Sequence, residues 1–344
     1  MNTNTYNSLS GLNTLGVDAT CEKLIHATNR QQIVKACLDE RLEHTPLLVL
    51  GGGSNIVLTC HFQGTVVVLE SKGIAIKEDD SAYHLVVEAG ENWHDLVKFC
   101  LENKMPGLEN LALIPGSVGA APIQNIGAYG AELAQYCEWV EYLDLETGKC
   151  QRLNASECLF GYRDSIFKQK LKQRAVILSV ALRLDKQWSP NLSYGPLKGF
   201  SRESVTPKAV FDCICAIRQQ KLPDPKVLGN VGSFFKNPIV SKSQFEALQE
   251  SYPDIVGYVV SDHDVKLAAG WLIEQAGLKG SSVGGASVHL QQALVLVNKN
   301  QATGDDVCQL ARNIIAKIHK LFGVTLEVEP RIIGASGQKE IDNA

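Results

Sequence analysis

A serine, an arginine and a pair of glutamates stand out from the chain because of their neighbours. Ser233 lies in Asn230-Val231-Gly232-Ser233-Phe234-Phe235-Lys236-Asn237-Pro238. Gly229 and Gly232 permit unusual backbone angles or the close approach of another group. A serine beside such a turn can present its hydroxyl; the plainer reading is a surface loop with a buried Phe pair. Arg163 lies in Phe160-Gly161-Tyr162-Arg163-Asp164-Ser165-Ile166-Phe167. A guanidinium in an aromatic setting is a good fork for a carboxylate or phosphate. A surface Arg–Asp pair is the alternative. Glu327, Glu329 and Arg331 are spaced by two, so on an extended strand they share one face. Such a face is either solvated or lines a cleft.

Two glycine-rich stretches suggest what these groups act beside. Leu47-Leu48-Val49-Leu50 reads as a short buried strand, and it ends in Gly51-Gly52-Gly53-Ser54-Asn55. Three glycines after a strand let backbone N–H groups approach a phosphate, or they form a tight turn. Ile56-Val57-Leu58 resumes strand character at once, so the stretch is not a Gly-x-Gly-x-x-Gly turn opening a helix, and a Rossmann site is disfavoured. The longer stretch, 107–130, has five glycines, two prolines and almost no charge. Loops normally sit in water and are polar. An uncharged loop of small residues wraps something flat and partly apolar, as an isoalloxazine ring with its pyrophosphate would be, or it is a packed connection inside the core. Gly284-Gly285-Ala286-Ser287-Val288-His289 is a further place where backbone approaches closely, with His289 read as a packing residue.

These groups need elements to hold them. Asn29 caps a helix through Arg41, with Ile33, Val34, Cys37 and Leu38 on one face. Strands are expected at Thr65–Leu69, Leu85–Ala89, Trp139–Leu145 and Val176–Leu184. Trp93–Glu102 reads as an amphipathic helix with Trp93, Leu96, Val97 and Cys100 inward. Pro207–Lys221 reads as a helix with Thr206 as cap and Pro at its first position. Tyr194-Gly195-Pro196 is a turn able to carry a mobile tyrosine. Further helices are expected at Ser243–Ser251, Val265–Ala276 and Asp305–Phe322, and strands at Ile255–Val260, Ala293–Val297 and Val324–Gly334. The mixture is α+β, with a small α/β layer near the C-terminus.

Composition excludes several classes. The chain has 344 residues, 45% of them hydrophobic, and a net charge of -4. It carries no dense Lys/Arg run, so nucleic acid is not the expected partner. No apolar run reaches the roughly 20 residues of a membrane span. Met1–Thr5 is polar and lacks the pattern of a signal peptide. Ten scattered cysteines, with Cys213-Ile214-Cys215 the sole close pair, lack zinc or thioredoxin spacing. They are expected to be reduced core residues of a cytoplasmic protein without a metal.

Six stretches in register resemble one known family. They are Gly51-Gly52-Gly53-Ser54-Asn55, Pro115-Gly116-Ser117-Val118-Gly119, Gln124-Asn125-Ile126-Gly127-Ala128-Tyr129-Gly130, Gly161-Tyr162-Arg163-Asp164-Ser165, Gly232–Pro238 and the Glu-Pro-Arg end. Together they resemble the UDP-N-acetylenolpyruvoylglucosamine reductase (MurB) family of peptidoglycan synthesis, over nearly the whole chain. The Tyr194 segment and the full-length third domain resemble its longer, type I form. The resemblance implies an FAD-binding fold of the vanillyl-alcohol-oxidase (PCMH) type. Two subdomains, 1–71 (joined by 323–344) and 72–222, would hold FAD. A third α/β domain, 223–322, would bind substrate. NADPH is the implied hydride source, and a UDP-sugar enolpyruvyl ether the implied substrate, handled by a cytoplasmic monomer.

The same resemblance assigns residues. Arg163 would bind and polarise the substrate carboxylate, Ser233 would donate the proton and Glu329 would be the second acid. Gly51, Gly52, Gly53, Ser54, Asn55, Pro115, Gly116, Ser117, Gly119, Gln124, Asn125, Ile126, Gly127, Ala128, Tyr129, Gly130, Arg218 and Arg331 would hold the cofactor. Tyr162, Tyr194, Lys221, Asn237 and Gln292 would contact the UDP-sugar. The family usually runs Glu-Pro-Glu, whereas this chain runs Glu327-Val328-Glu329-Pro330-Arg331. Register favours Glu329, and the shifted proline keeps Glu327 open. An oxidase of the same fold, or a binding module without catalysis, would keep the glycine loops but need no Ser233–Glu329 pair.

Overall fold

The computed structural model describes residues 6–341, so the polar Met1–Thr5 stretch lies outside the described residues. The chain divides into two compact units. One takes the residues up to Glu22, Gly53–Gln63 and Lys221 onward; the other takes Lys23–Gly52 and Gly64–Gln220.

The Lys23–Gln220 unit is built on a five-stranded antiparallel sheet. Its order is Lys149–Asn154, Cys137–Asp144, Ala175–Asp185, Ala82–Glu88, Ile74–Glu78. The central strand carries seven buried residues in a row, because both of its faces are covered. Ile177, Val180 and Leu182 face one core with Trp93, Leu96, Val97, Val210 and Ile214. Val176 and Leu178 face a second core with Ile33, Cys37 and Leu143. Leu143 comes from the strand Cys137–Asp144, and three helices supply the other partners: α1 (Arg30–Leu42), α2 (Trp93–Glu102) and α3 (Pro207–Lys221). Each begins as its sequence demands. Asn29 Oδ1 accepts from Gln32 N at 3.0 Å and Asn92 Oδ1 from Asp95 N at 3.0 Å. Thr206 Oγ1 accepts from Ala209 N at 3.2 Å, satisfying amides with no partner inside the helix. Leu47–Leu50 runs parallel to Thr65–Val68.

In the other unit, α4 (Lys242–Ser251), α5 (Ala269–Gln275) and α6 (Gly304–Phe322) accompany short sheets. Helix α6 opens on a capping box between Thr303 and Asp306 and closes on Gly323 at φ 63°. Ile56–Leu58 pairs in parallel with Arg331–Ile333, so chain segments 275 residues apart lie side by side.

Three expectations are corrected here. Val265–Ala276 is not one helix. Asp264–Leu267 is a strand between Ile239–Ser241 and Gly257–Val259, and the helix starts only at Ala269. The alternation of buried Val265 and Leu267 is a strand period, and two partners outweigh the local helical preference. The C-terminal strand is regular only over Arg331–Gly334, with a lone bridge between Val328 and Phe235 before it. Among the described residues the cysteines form no disulfide, but Cys60 and Cys150 are exposed rather than core. Cys150 lies on the edge strand of the five-stranded sheet. Among the described residues, no helix is long and apolar enough to cross a membrane.

Candidate active site

Within the Lys23–Gln220 unit, the glycines bring two loops into bare contact. A Cβ on Gly51 would lie 2.1 Å from Ser117 Oγ, and one on Gly52 would lie 2.9 Å from Gly116 Cα. Gly119 abuts Ala89 in the same way, at 2.6 Å. No side chain fits there. Ser117 Oγ is buried and has no hydrogen-bond partner. A buried hydroxyl without a partner is costly unless a ligand satisfies it.

Asn125 joins the next part of this loop to the turn that carries Arg163. It adopts φ 45°. Its Nδ2 donates to Gly161 O at 3.0 Å and to Glu132 Oε2 at 2.8 Å, and its Oδ1 accepts from Ala134 N at 2.9 Å. The turn is closed by reciprocal backbone bonds between Gly161 and Asp164, at 3.0 and 3.3 Å. Arg163 sits at its corner with φ 54°, a conformation that strains any non-glycine residue. Its guanidinium carbon lies 5.9 Å from the centroid of the half-exposed Tyr162 ring. A Cβ on Gly127 would come 3.4 Å from Arg163 Nη1, so glycine keeps that approach open.

Tyr129 adopts φ 50° and is followed by Gly130 at φ 84°. Asn110 Nδ2 holds Tyr129 O at 2.8 Å, and Asn191 Nδ2 holds Gly130 O at 2.8 Å. The Tyr194 ring meets Tyr129 edge-on at 5.1 Å. Tyr129 also hydrogen-bonds Arg218, whose Nε is buried without a partner. Burial lowers the pKa of the Arg218 guanidinium, and the positive charge of Arg163 pushes the same way. Two cations held near each other, one with an unsatisfied buried N–H, define a place for an anion. Asn110 and Asn191 were not singled out by sequence. An amide side chain in an apolar loop was the available signal for Asn110; nothing local flags Asn191.

The other unit presents Ser233. Pairing slips by one residue between Asn230↔Val297 and Ser233↔Val295, which is a β-bulge. Gly232 sits in the bulge at φ 72° with its N–H donating to Asn230 Oδ1 at 2.9 Å. Ser233 is thereby exposed while Phe234 and Phe235 beside it are 0% and 1% exposed. Nothing lies within 4 Å of a Cβ added to Gly232. Gly232→Ala should therefore cost about 1–2 kcal/mol through backbone conformation alone, read as a lowered denaturant midpoint at unchanged slope.

Glu329 runs alongside this segment: its N–H donates to Phe234 O at 2.8 Å. Glu329 is half-buried, whereas Glu327 is 71% exposed and paired with Lys236 at 2.7 Å. The two glutamates do not share an environment. Asn237 uses its Oδ1 to accept from Ala269 N at 3.0 Å, starting α5. Gln292 is half-buried, with its amide N donating to His289 Nδ1 at 3.2 Å. His289 is thus a satisfied packing residue. Lys221 is exposed at the end of α3. Arg331 Nε donates to Gln338 Oε1 at 3.1 Å, and burial lowers its pKa. Its amide donates to Asn55 O at 3.0 Å. Gly53, at φ 59°, packs against Leu12 O, where a Cβ would come within 1.9 Å.

Two family models match the chain. Residues 22–154 match an FAD binding domain, and residues 224–333 match the C-terminal domain of UDP-N-acetylenolpyruvoylglucosamine reductase. The solved structure of UDP-N-acetylenolpyruvylglucosamine reductase (MurB) from Thermus caldophilus is similar with a TM-score of 0.65 and 25% identity. It covers 95% of this chain and 99% of that one. The fold is therefore α+β, an FAD-binding portion of the PCMH type with an extra C-terminal domain, and the protein is a flavin-dependent oxidoreductase. UDP-N-acetylenolpyruvoylglucosamine reductase of Shewanella sp. (strain ANA-3) is 57% identical over 97% of this chain and 98% of its own length. That of Salmonella typhimurium (strain LT2) is 52% identical over 96% and 97%. The chain belongs to the UDP-N-acetylenolpyruvoylglucosamine reductase family.

Proposed function

We propose that this protein reduces UDP-N-acetylglucosamine enolpyruvate to UDP-N-acetylmuramate for peptidoglycan, with resident FAD and with NADPH as reductant, as a cytoplasmic monomer. The exposed Ser233 on its bulge, flanked by the Glu329 segment, carries this reading. An oxidase on the same scaffold would have no use for a presented proton donor. FAD fits the residues present, since Ser117 Oγ and Arg218 Nε are buried polar atoms lacking partners. The residues that would hold it are Gly51–Asn55, Pro115–Gly119, Gln124–Gly130, Arg218 and Arg331. We also propose a grouping that cuts across the two compact units, 1–71 (joined by 323–344) and 72–222 for the cofactor and 223–322 for the substrate.

Bound FAD would supply the two-electron chemistry that links NADPH to the β carbon of the enol ether. The chain's own residues do the rest. Negative charge develops on the α carbon and the carboxylate. Arg163 binds that carboxylate and stabilises the charge electrostatically. Glu329 serves as the second acid group. Ser233 holds the proton destined for the α carbon and regains one from solvent. Tyr162, Tyr194, Lys221, Asn237 and Gln292 bind and orient the UDP-sugar. Glu327 is the weaker candidate for the acid, because it is largely exposed and its carboxylate is engaged by Lys236 at 2.7 Å. A surface ion pair is worth about 0–1 kcal/mol, so Glu327→Gln should change turnover by less than about fivefold in a steady-state assay.

The test is an absorbance spectrum of the purified protein, followed by anaerobic NADPH and then the enol ether. A yellow protein that bleaches and then recolours has both half-reactions. Rapid reoxidation by oxygen with no response to the enol ether would favour the oxidase. A colourless protein that takes up no FAD would remove the flavin reading.

A further inference from the structure

The loop that carries Gly116 and Ser117 is fastened to the start of α2 by a row of bonds. Val118 N donates to Glu91 O at 2.8 Å, and Asn92 bridges Ser117. Trp93 N donates to Gly116 O at 3.0 Å, and its indole Nε1 to Leu111 O at 3.0 Å. The next bond differs in kind. Leu113 N donates to His94 Nδ1 at 3.0 Å. Leu113 sits at φ 55°, where a branched side chain is strained, so this bond holds a conformation the residue would not choose. A nitrogen that accepts from an amide carries no proton, and the ring is then neutral with its hydrogen on Nε2. Protonation turns Nδ1 into a donor aimed at a donor. No other group in the row titrates near neutral pH.

We propose that His94 is a positioning residue whose neutral imidazole latches the 111–118 loop, so that FAD loading weakens as pH falls and His94 takes up a proton. The inference rests on the reading of this loop as a flavin cradle. The charged groups around His94 are Asp95 and Lys98 on α2 and Arg218 on α3. Phe211 of α3 stacks on the ring at 5.7 Å with planes 6° apart. The 111–118 loop has no titratable side chain. Burial lowers the pKa of His94 first, and Lys98 and Arg218 add to this against Asp95. The neutral latch is therefore complete above the ordinary value of about 6.5. It is lost as pH falls from there through the lowered value.

The experiment is FAD titration of the full-length apoprotein, followed by quenching of flavin fluorescence between about pH 8 and about pH 5. The wild type should lose affinity by about tenfold for each unit by which FAD binding separates the two pKa values of His94. His94→Asn, whose Oδ1 replaces Nδ1 as a non-titrating acceptor, should bind as the wild type does at pH 8 and lose the added slope. His94→Leu should bind weakly at both ends. A His94→Asn profile with the wild-type slope would overturn the inference while leaving the flavin reading intact. Absence of FAD uptake by the wild type at any pH would overturn both.

Discussion

In Ser233→Ala, NADPH should still bleach the flavin, and the enol ether should fail to recolour it. The two half-reactions separate because only the second needs a proton at carbon. Ser233 is a surface residue in this chain, bounded by buried Val231 and Phe234, so its hydroxyl supports no core. Loss of the γ oxygen leaves the Asn230 and Gly232 contacts that shape the bulge. The fold should survive, and a general acid contributes about 100- to 10,000-fold. Stopped-flow absorbance resolves the two phases. Slow flavin reduction by NADPH in this variant would refute the assignment, since the hydroxyl would then serve the cofactor or the fold.

Arg163→Ala should lower turnover by about two to three powers of ten, the value of about 3–4 kcal/mol for an oriented donor in a preorganised site. Arg163→Lys should recover little of it. Lysine keeps the charge but lacks the planar fork that grips a carboxylate through two bonds. The backbone gives an independent check. Arg163 adopts φ 54° at the corner of the Gly161–Asp164 turn. Glycine accepts that angle without strain, so Arg163→Gly should fold at least as stably as Arg163→Ala while being as inactive. A loss of less than tenfold in Arg163→Ala would place the guanidinium outside contact with substrate. The strain sits at the residue proposed to bind the carboxylate, held by Asn125 through Gly161 O and by Lys168 Nζ on Arg163 O at 3.0 Å.

How far the residues alone reach depends on where each decision is made. Helices α2 and α3 run over the residues expected of them, Trp93–Glu102 and Pro207–Lys221. Their caps and apolar spacing are local, and local signals survive folding. The stretch 265–276 was misjudged because its first residues take strand conformation only in company. Ile239–Ser241 and Gly257–Val259 must arrive before Asp264–Leu267 has a ladder. The glycines at 51, 52 and 119 were visible as a demand for close approach. That the approach at these positions is of chain to chain, Gly51 on Ser117 and Gly119 on Ala89, was not visible.

By itself the sequence determined the family, through six stretches in order, and the residue types the chemistry needs. It also set the ends of the capped helices, since capping lies within a few residues of chain. Only the tertiary structure gave Glu327 and Glu329 different surroundings. Alternation puts both on one face, and a lysine 91 residues away ties up the first. Only the tertiary structure put the unpaired Arg218 Nε near Arg163, and Leu113 N against His94. Hydrogen bonds and desolvation act over a few ångströms whatever the separation along the chain, and periodicity carries no record of them.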